Sequence, residues 1–111
     1  MRPSERVDRW LDDLAATLDT ASALVERGRD EFDRDPAIPL AFEALSNRVG
    51  DLAKRLVAAD PSRFSDPIWS QAARNRDFVV HHYDRVDSDA LWVTVDRSFS
   101  DLRAVLDRVR G

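Results

Sequence analysis

Residues 7–25 have the sequence VDRWLDDLAATLDTASALV, in which apolar side chains recur every three or four positions. This spacing is the period of one face of an α-helix. The apolar stripe consists of Val7, Trp10, Leu11, Leu14, Leu18, Ala21 and Val25. We therefore predict an amphipathic helix that begins after a Ser4 N-cap and ends at Gly28.

Two more helices are predicted by their start and stop signals. Pro36 and Pro39 suit the start of a second helix, and Asp60-Pro61 closes it. A third helix is expected after an Asp66 cap, with a proline at its first position, and runs to about Tyr83. The highly charged residues 29–35 between the first two long helices are expected to form a solvated connection.

The last quarter of the chain is helical as well. Asp87 or Ser88 caps a fourth segment, and a serine at position 98 or 100 could restart the chain into a final helix after a break. No alternating apolar pattern of useful length predicts a strand. The sequence therefore predicts an all-α fold, an antiparallel bundle of four to five helices, as a single domain over residues 1–111. The three tryptophans, Trp10, Trp69 and Trp92, are expected to be core anchors.

Composition restricts the classes of function. The 111 residues are 43% hydrophobic and 34% charged, which fits one domain with an ordinary core. The absence of cysteine excludes disulfides, thiolate nucleophiles and zinc sites built on sulfur. A net charge of -4 counts against a broad nucleic-acid surface but leaves room for a local basic site. No apolar run approaches the roughly 20 residues of a membrane span, so we expect a cytoplasmic protein.

The unusual chemistry lies in residues 73–83, ARNRDFVVHHY, which contain both histidines and the only tyrosine. His81 and His82 are adjacent and point about 100° apart on a helix, so they chelate one metal ion poorly and no metal site is expected. Histidine transfers protons near neutral pH, and arginine stabilises charge that develops on a phosphoryl oxygen. Together these groups suffice for metal-free RNA cleavage in which the neighbouring 2′-hydroxyl attacks.

The segment from Arg76 to Tyr83 resembles a family motif. An arginine, four residues, a histidine, one residue and a tyrosine form the motif of the HepT-like HEPN ribonuclease toxins, and Arg76, His81 and Tyr83 occupy those positions. The tryptophans that flank this segment strengthen the resemblance.

The resemblance extends over about residues 38–109. Residues 67–69 are similar to the proline and tryptophan that lead into the family's motif helix, and residues 98–102 stand where the family has a short break before its last helix. Residues 49–54 resemble an upstream Ile-Gly-Glu-Ala stretch, in which Asp51 replaces the usual glutamate.

The resemblance implies a HEPN-like fold and the toxin of a toxin-antitoxin pair. Such a toxin is a metal-independent endoribonuclease that cleaves tRNA or mRNA and needs no cofactor. Arg76 and His81 would be its catalytic residues. Its partner would be an MNT-type nucleotidyltransferase that neutralises the toxin by AMPylation of the motif tyrosine, here Tyr83. Added AMP would place bulk and negative charge where an RNA phosphate must bind.

Three more residues of this segment are candidates for RNA binding or for support of the site. Arg74 is seven residues before His81, about 20° from the same helix face, and it also fits the broader HEPN spacing as the functional arginine. We favour Arg76 in that role and assign Arg74 to a phosphate contact. Asp77 is expected either to orient Arg74 or Arg76 or to be a surface carboxylate. His82 is expected either to form a surface hydrogen bond or to have no role in the site.

Helix geometry predicts a homodimer. Arg76 and His81 are about 140° apart around a helix and about 7.5 Å apart along it, so one helix does not present both to one phosphate easily. Two motif helices across a twofold axis would form a composite cleft. An alternative function is a non-catalytic HEPN subunit that binds a nucleotidyltransferase and nucleotide or RNA.

Overall fold

A computed structural model describes residues 2–82 and 87–111, and for residues 75–82 it describes the course of the backbone without the side chains. Over these described ranges the chain forms helices and no strand. The predicted all-α bundle is therefore confirmed.

The helices are α1 (Pro3–Val25), α2 (Arg29–Arg34), α3 (Ala37–Ala59), α4 (Pro67–His82), α5 (Ser88–Val93) and α6 (Phe99–Arg110). A single π-helical turn over Thr94–Ser98 joins α5 to α6 without interrupting the helical path. The bundle therefore consists of four long helical rods and the short α2.

The long helices pack around α3. It contacts α1, α4 and α5, and α6 closes the bundle against α1 and α4. Because only a short connection joins α3 to α4, these two helices run antiparallel. The side chains excluded most completely from solvent include Leu14, Phe42, Leu56, Trp69 and Leu106. Burial of one such side chain contributes about 1.5–3 kcal/mol, so this apolar core accounts for the bundle.

The start of α1 differs from the predicted one. The helix begins at Pro3 with Arg2 as its N-cap, so the prediction that Ser4 is the cap is wrong. The fixed φ of proline suits the first helical position, and the Glu5 carboxylate accepts a hydrogen bond of 3.4 Å from the Arg2 backbone N–H. Because of these two features, the helix starts two residues earlier than it would with Ser4 as its N-cap.

Residues 29–35 connect α1 to α3 with largely exposed charged side chains, as predicted, but residues 29–34 also form the short helix α2, which was not predicted. Phe32 is buried at 2% exposure, and its ring centroid lies 5.0 Å from that of Phe42. The Arg29 guanidinium pairs with Asp33 at 2.9 Å and with Asp89 of α5 at 2.6 Å. These two hydrogen bonds, that to Asp33 first, raise the pKa of Arg29 above its ordinary value. One aromatic anchor and this ion-pair network hold a helix that charge patterning alone does not reveal.

The predicted break near Ser98 is replaced by the π-turn. The Phe99 N–H donates to the Thr94 carbonyl, five residues back, and Ser98 has helical dihedral angles and no capping hydrogen bond. Leu91, Val95 and Phe99 are all buried, and each is four residues after the one before it. In a regular α-helix two such steps drift by about 80°. The wider turn absorbs the extra residue and keeps all three side chains in the core.

Two predicted caps are confirmed. The Asp66 carboxylate accepts from the Ile68 N–H at 3.0 Å at the start of α4, and that of Asp87 accepts from the Asp89 N–H at 2.8 Å at the start of α5. Trp69 is fully buried, and Trp10 and Trp92 pack half-buried against the core, as predicted. Within the described ranges no helix has the length and apolarity needed to cross a bilayer.

Candidate active site

The first turns of α4 are firmly anchored in the core. Proline stands at the first helical position and the Asp66 carboxylate caps the second. Trp69 follows with no solvent exposure, and its ring meets Phe64 edge to face at 5.1 Å. The helix that carries the motif is therefore fixed at its N-terminal end.

Two of the three motif residues, Arg76 and His81, lie in the second half of α4. Arg76, Asp77, His81 and His82 all lie within the helix, but their side chains are outside the described part of the structure. Tyr83 falls outside the described residues altogether. The continuous helix supports the predicted spacing of Arg76 and His81, about 7.5 Å along the axis and about 140° around it. The roles predicted for these residues remain predictions.

Arg74 is the one candidate whose side chain is described. It is exposed on α4, and none of the side chains that the structure describes forms an ion pair with it. Its position is seven residues before His81, which is close to two full helical turns. An exposed guanidinium of this kind is always charged and can bind an external anion.

On the neighbouring helix α3, the aspartate that replaces the family's glutamate has a local partner. The Asp51 carboxylate pairs with Arg55 one turn later, with 3.0 Å between Oδ2 and Nη2. The Arg55 guanidinium also lies 6.0 Å from the centre of the Trp10 ring. Asp51 therefore takes part in a half-exposed ion pair that links the surfaces of α3 and α1.

A small cleft of about 50 Å³ lies between α4 and α6. Gln71 of α4 faces it together with Ser98 and Asp101, and Ile68 and Phe99 are among its apolar walls. Gln71 precedes Arg76 by five residues, about 7.5 Å along the axis. No sequence signal connects these polar residues, because about thirty positions separate Gln71 from Asp101 and no motif includes both.

Among the described side chains no cluster of three or more histidine, aspartate or glutamate residues could hold a metal ion. Both histidines lie outside that set. The predicted absence of a metal site therefore remains a prediction.

The sequence matches a known family over most of its length. Residues 14–109 fit the family model described as Ribonuclease HepT-like, and this range includes α4 and the whole motif. The chain belongs to the HepT-like ribonuclease family. Membership supports nuclease activity at a coarse level, and it agrees with the resemblance found at Arg76, His81 and Tyr83.

A curated relative agrees with the HepT-like assignment. The protein named "Putative RNase TTE0752", from Caldanaerobacter subterraneus subsp. tengcongensis, is 26% identical over 89 residues. The aligned region covers 77% of this chain and 80% of the relative. No solved structure matches the chain significantly.

Proposed function

We propose that this chain is a metal-independent endoribonuclease that cleaves tRNA or mRNA, with Arg76 and His81 as its catalytic residues. The observation that carries the proposal is the HepT-like ribonuclease match over residues 14–109, because it includes the complete motif. The helical path of α4 from Pro67 to His82 adds support, since it carries both Arg76 and His81 on one helix.

In the proposed reaction the RNA supplies the nucleophile. The 2′-hydroxyl oxygen forms a bond to the adjacent phosphorus while the bond from phosphorus to the 5′-oxygen breaks, which leaves a cyclic phosphate and a free 5′-hydroxyl. One group must accept the proton of the 2′-hydroxyl and another must protonate the leaving oxygen. Imidazole performs either step near neutral pH, and Arg76 stabilises the charge on the non-bridging oxygens.

The need for two proton-transfer groups favours a homodimer. A twofold arrangement of two α4 helices supplies two His81 and two Arg76 side chains to one cleft. It also concentrates positive charge that a monomer of net charge -4 lacks. Two exposed apolar side chains, Leu40 of α3 at 65% and Val93 of α5 at 46%, are available for contact with a second copy.

Three neighbours complete the proposed site. Arg74 contacts an RNA phosphate, which its exposed guanidinium favours. Asp77 orients an arginine, and His82 contributes a hydrogen bond. Together these residues would form an RNA-binding surface on α4.

For regulation we propose a toxin role in the cytoplasm, where RNA substrates and a nucleotidyltransferase antitoxin meet. The antitoxin transfers AMP from ATP to the Tyr83 hydroxyl, forming a phosphodiester and releasing pyrophosphate. The added phosphate carries negative charge next to the RNA-binding arginines, so it repels the substrate as well as blocking its access.

The test is cleavage of total cellular RNA in EDTA by protein whose mass excludes bound AMP. We expect the wild type to cleave and His81→Ala to lose at least about a hundredfold in rate, which is typical of a lost general acid or base. Arg108→Ala, which removes an exposed side chain of α6 outside the proposed site, is the control and keeps most of the activity. Equal circular dichroism spectra establish that the variants are folded.

Two results would overturn the catalytic assignment. Cleavage that persists in His81→Ala would show that this histidine is not the catalytic one. Absence of cleavage by unmodified wild type would favour the alternative, a non-catalytic HEPN subunit that binds a nucleotidyltransferase and nucleotide or RNA.

A further inference from the structure

A groove of about 400 Å³ separates the second half of α1 from the π-turn and the start of α6. Its apolar floor includes Leu18, Val95 and Phe99, all of which belong to the core. Its volume is within the range of sites that enclose a ligand or an anchoring side chain. The groove uses no residue of α4 and is therefore separate from the proposed nuclease site.

The lining of this groove is acidic. Asp19, Glu26 and Asp96 face it, against one cation, Arg103. The Arg103 guanidinium is already engaged, because it bonds to the Asp19 carboxylate and donates to the Ala15 carbonyl at 3.2 Å. Glu26 and Asp96 form no ion pair with any residue that the structure describes. Two carboxylates that the described residues leave uncompensated therefore share one concave surface.

The backbone fixes Asp96 in this position. It belongs to the π-turn, and the Ser100 hydroxyl donates to the Asp96 carbonyl at 2.8 Å. The residue is half-buried, and no cationic side chain that the structure describes forms an ion pair with it. Its carboxylate is therefore available to a cation from outside the chain, and a hydrogen bond from such a cation would be charge-assisted.

We propose that the groove docks a basic amphipathic segment of a partner protein. Arginine or lysine head groups pair with Glu26 and Asp96, while their aliphatic stems lie over the apolar floor beside Val95. The charge of the groove selects this occupant, since an acidic segment or RNA would be repelled by its carboxylates. The inference concerns a second surface and stands whether or not the chain cleaves RNA.

The test uses a short synthetic helix of alanine, leucine and arginine as the probe, and a twin with glutamate in place of arginine. In an NMR titration of the isotopically labelled full chain, we expect amide shift changes concentrated in residues 18–26 and 95–103. The double variant Glu26→Gln with Asp96→Asn is expected to weaken binding about tenfold, because the free energies of two modest charge pairs are lost together. The control Asp30→Asn with Asp107→Asn removes the same charge outside the groove and binds as the wild type does.

Three results would overturn this proposal. Shift changes spread over the whole acidic surface, or equal weakening in both double variants, would show non-specific attraction. Binding of the glutamate twin would show that charge does not select the occupant. A change of oligomeric state in the groove variant, measured by sedimentation without any probe, would show that the groove holds a second copy of this chain instead.

The natural partner is tested with a photo-crosslinking amino acid at Ser22, on the α1 side of the groove. In cells that encode the chain, we expect the crosslinked segment to carry arginine or lysine and to disappear in the Glu26→Gln, Asp96→Asn variant alone. An acidic crosslinked segment, or no protein crosslink, contradicts the proposal.

Discussion

The Phe32 ring of α2 meets the Trp92 ring of α5 edge to face, with their centroids 5.4 Å apart and their planes at 71°. Trp92 in turn stacks on Phe42 of α3 at 5.8 Å and an angle of 16°. Edge-to-face and offset-stacked geometries are the favourable ones for aromatic pairs. Three helices therefore share one aromatic cluster at the end of the bundle where α2 crosses.

Replacement of Phe32 measures how far α2 belongs to the core. Because the ring is buried and touches two other rings, Phe32→Ala is expected to lower the free energy of unfolding by about 3–5 kcal/mol. Urea denaturation monitored by circular dichroism measures the loss, and Phe32→Leu, which keeps most of the apolar volume, loses clearly less. A loss below about 0.5 kcal/mol for Phe32→Ala, typical of surface sites, would contradict the burial of α2.

The backbone of Gly28 is specific to glycine. Its φ of +92° and ψ of 160° are a combination that other residues adopt only under strain, whereas a Cβ built there meets nothing within 4 Å. Gly28→Ala is therefore expected to cost about 1–3 kcal/mol through strain without a clash. Thermal unfolding of Gly28→Ala beside Ser22→Ala, a substitution at an exposed position of α1, tests this expectation. Equal stabilities would indicate that the turn relaxes to another conformation.

The π-turn predicts that one deletion is tolerated better than another. Removal of Arg97 converts the wide turn to α-helix and preserves the phase of α5 and α6. Removal of Ala104, also exposed but in the regular helix α6, rotates the following residues by about 100° and moves Val105 and Leu106 out of register with the core. We expect the Arg97 deletion to have the higher melting temperature by calorimetry, and the reverse order would contradict the role assigned to the π-turn.

Arg74 gives a prediction about RNA binding that rests on the proposed function. In a His81→Ala background, which prevents cleavage, Arg74→Ala is expected to weaken binding to RNA of different sequences alike. The slope of log affinity against log salt should fall by about 0.7–0.9, since one phosphate contact is lost. Arg108→Ala is the control because it removes an exposed arginine from α6. An unchanged slope for Arg74→Ala would exclude a phosphate contact.

Features coded by neighbouring residues were predictable from the sequence. The α3 and α4 starts follow from prolines and from the Asp66 carboxylate, whose effect is confined to one helical turn. The apolar stripe of α1 also appears as expected, with Leu11, Leu14 and Leu18 buried. Periodicity and caps suffice where the stabilising contacts lie within the same helix.

Features that depend on distant contacts were not predictable. Phe32 is the one apolar residue in a charged run, and its contacts with α3 and α5 stabilise residues 29–34 as a helix together with the ion pairs of Arg29. Serine is a residue type that often caps helices, so Ser98 predicted a break. Burial of Val95 and Phe99 in the core instead favours a continuous helix with one wide turn. In both cases tertiary packing outweighed the local signal.

For the site, the helix that carries Arg76 and His81 was predictable from its proline and its Asp66 cap, whereas the roles of these residues remain predictions. The acidic groove was not, since its two walls come from segments that are about seventy residues apart in the chain. A concave surface built by α1 and α6 exists only once the bundle has formed, and single-sequence patterns do not record it.

Trp69 has an optical consequence. Its indole is wholly shielded from solvent at the first turn of α4, while Trp10 and Trp92 keep partial exposure. An indole shielded from solvent emits at shorter wavelength than an exposed one. The short-wavelength component of the protein's fluorescence therefore reports whether the motif helix α4 is packed against α3. Any ligand or covalent group that displaces α4 from α3 exposes Trp69 and shifts its emission to longer wavelength. Tryptophan fluorescence therefore follows this displacement in real time without an added label.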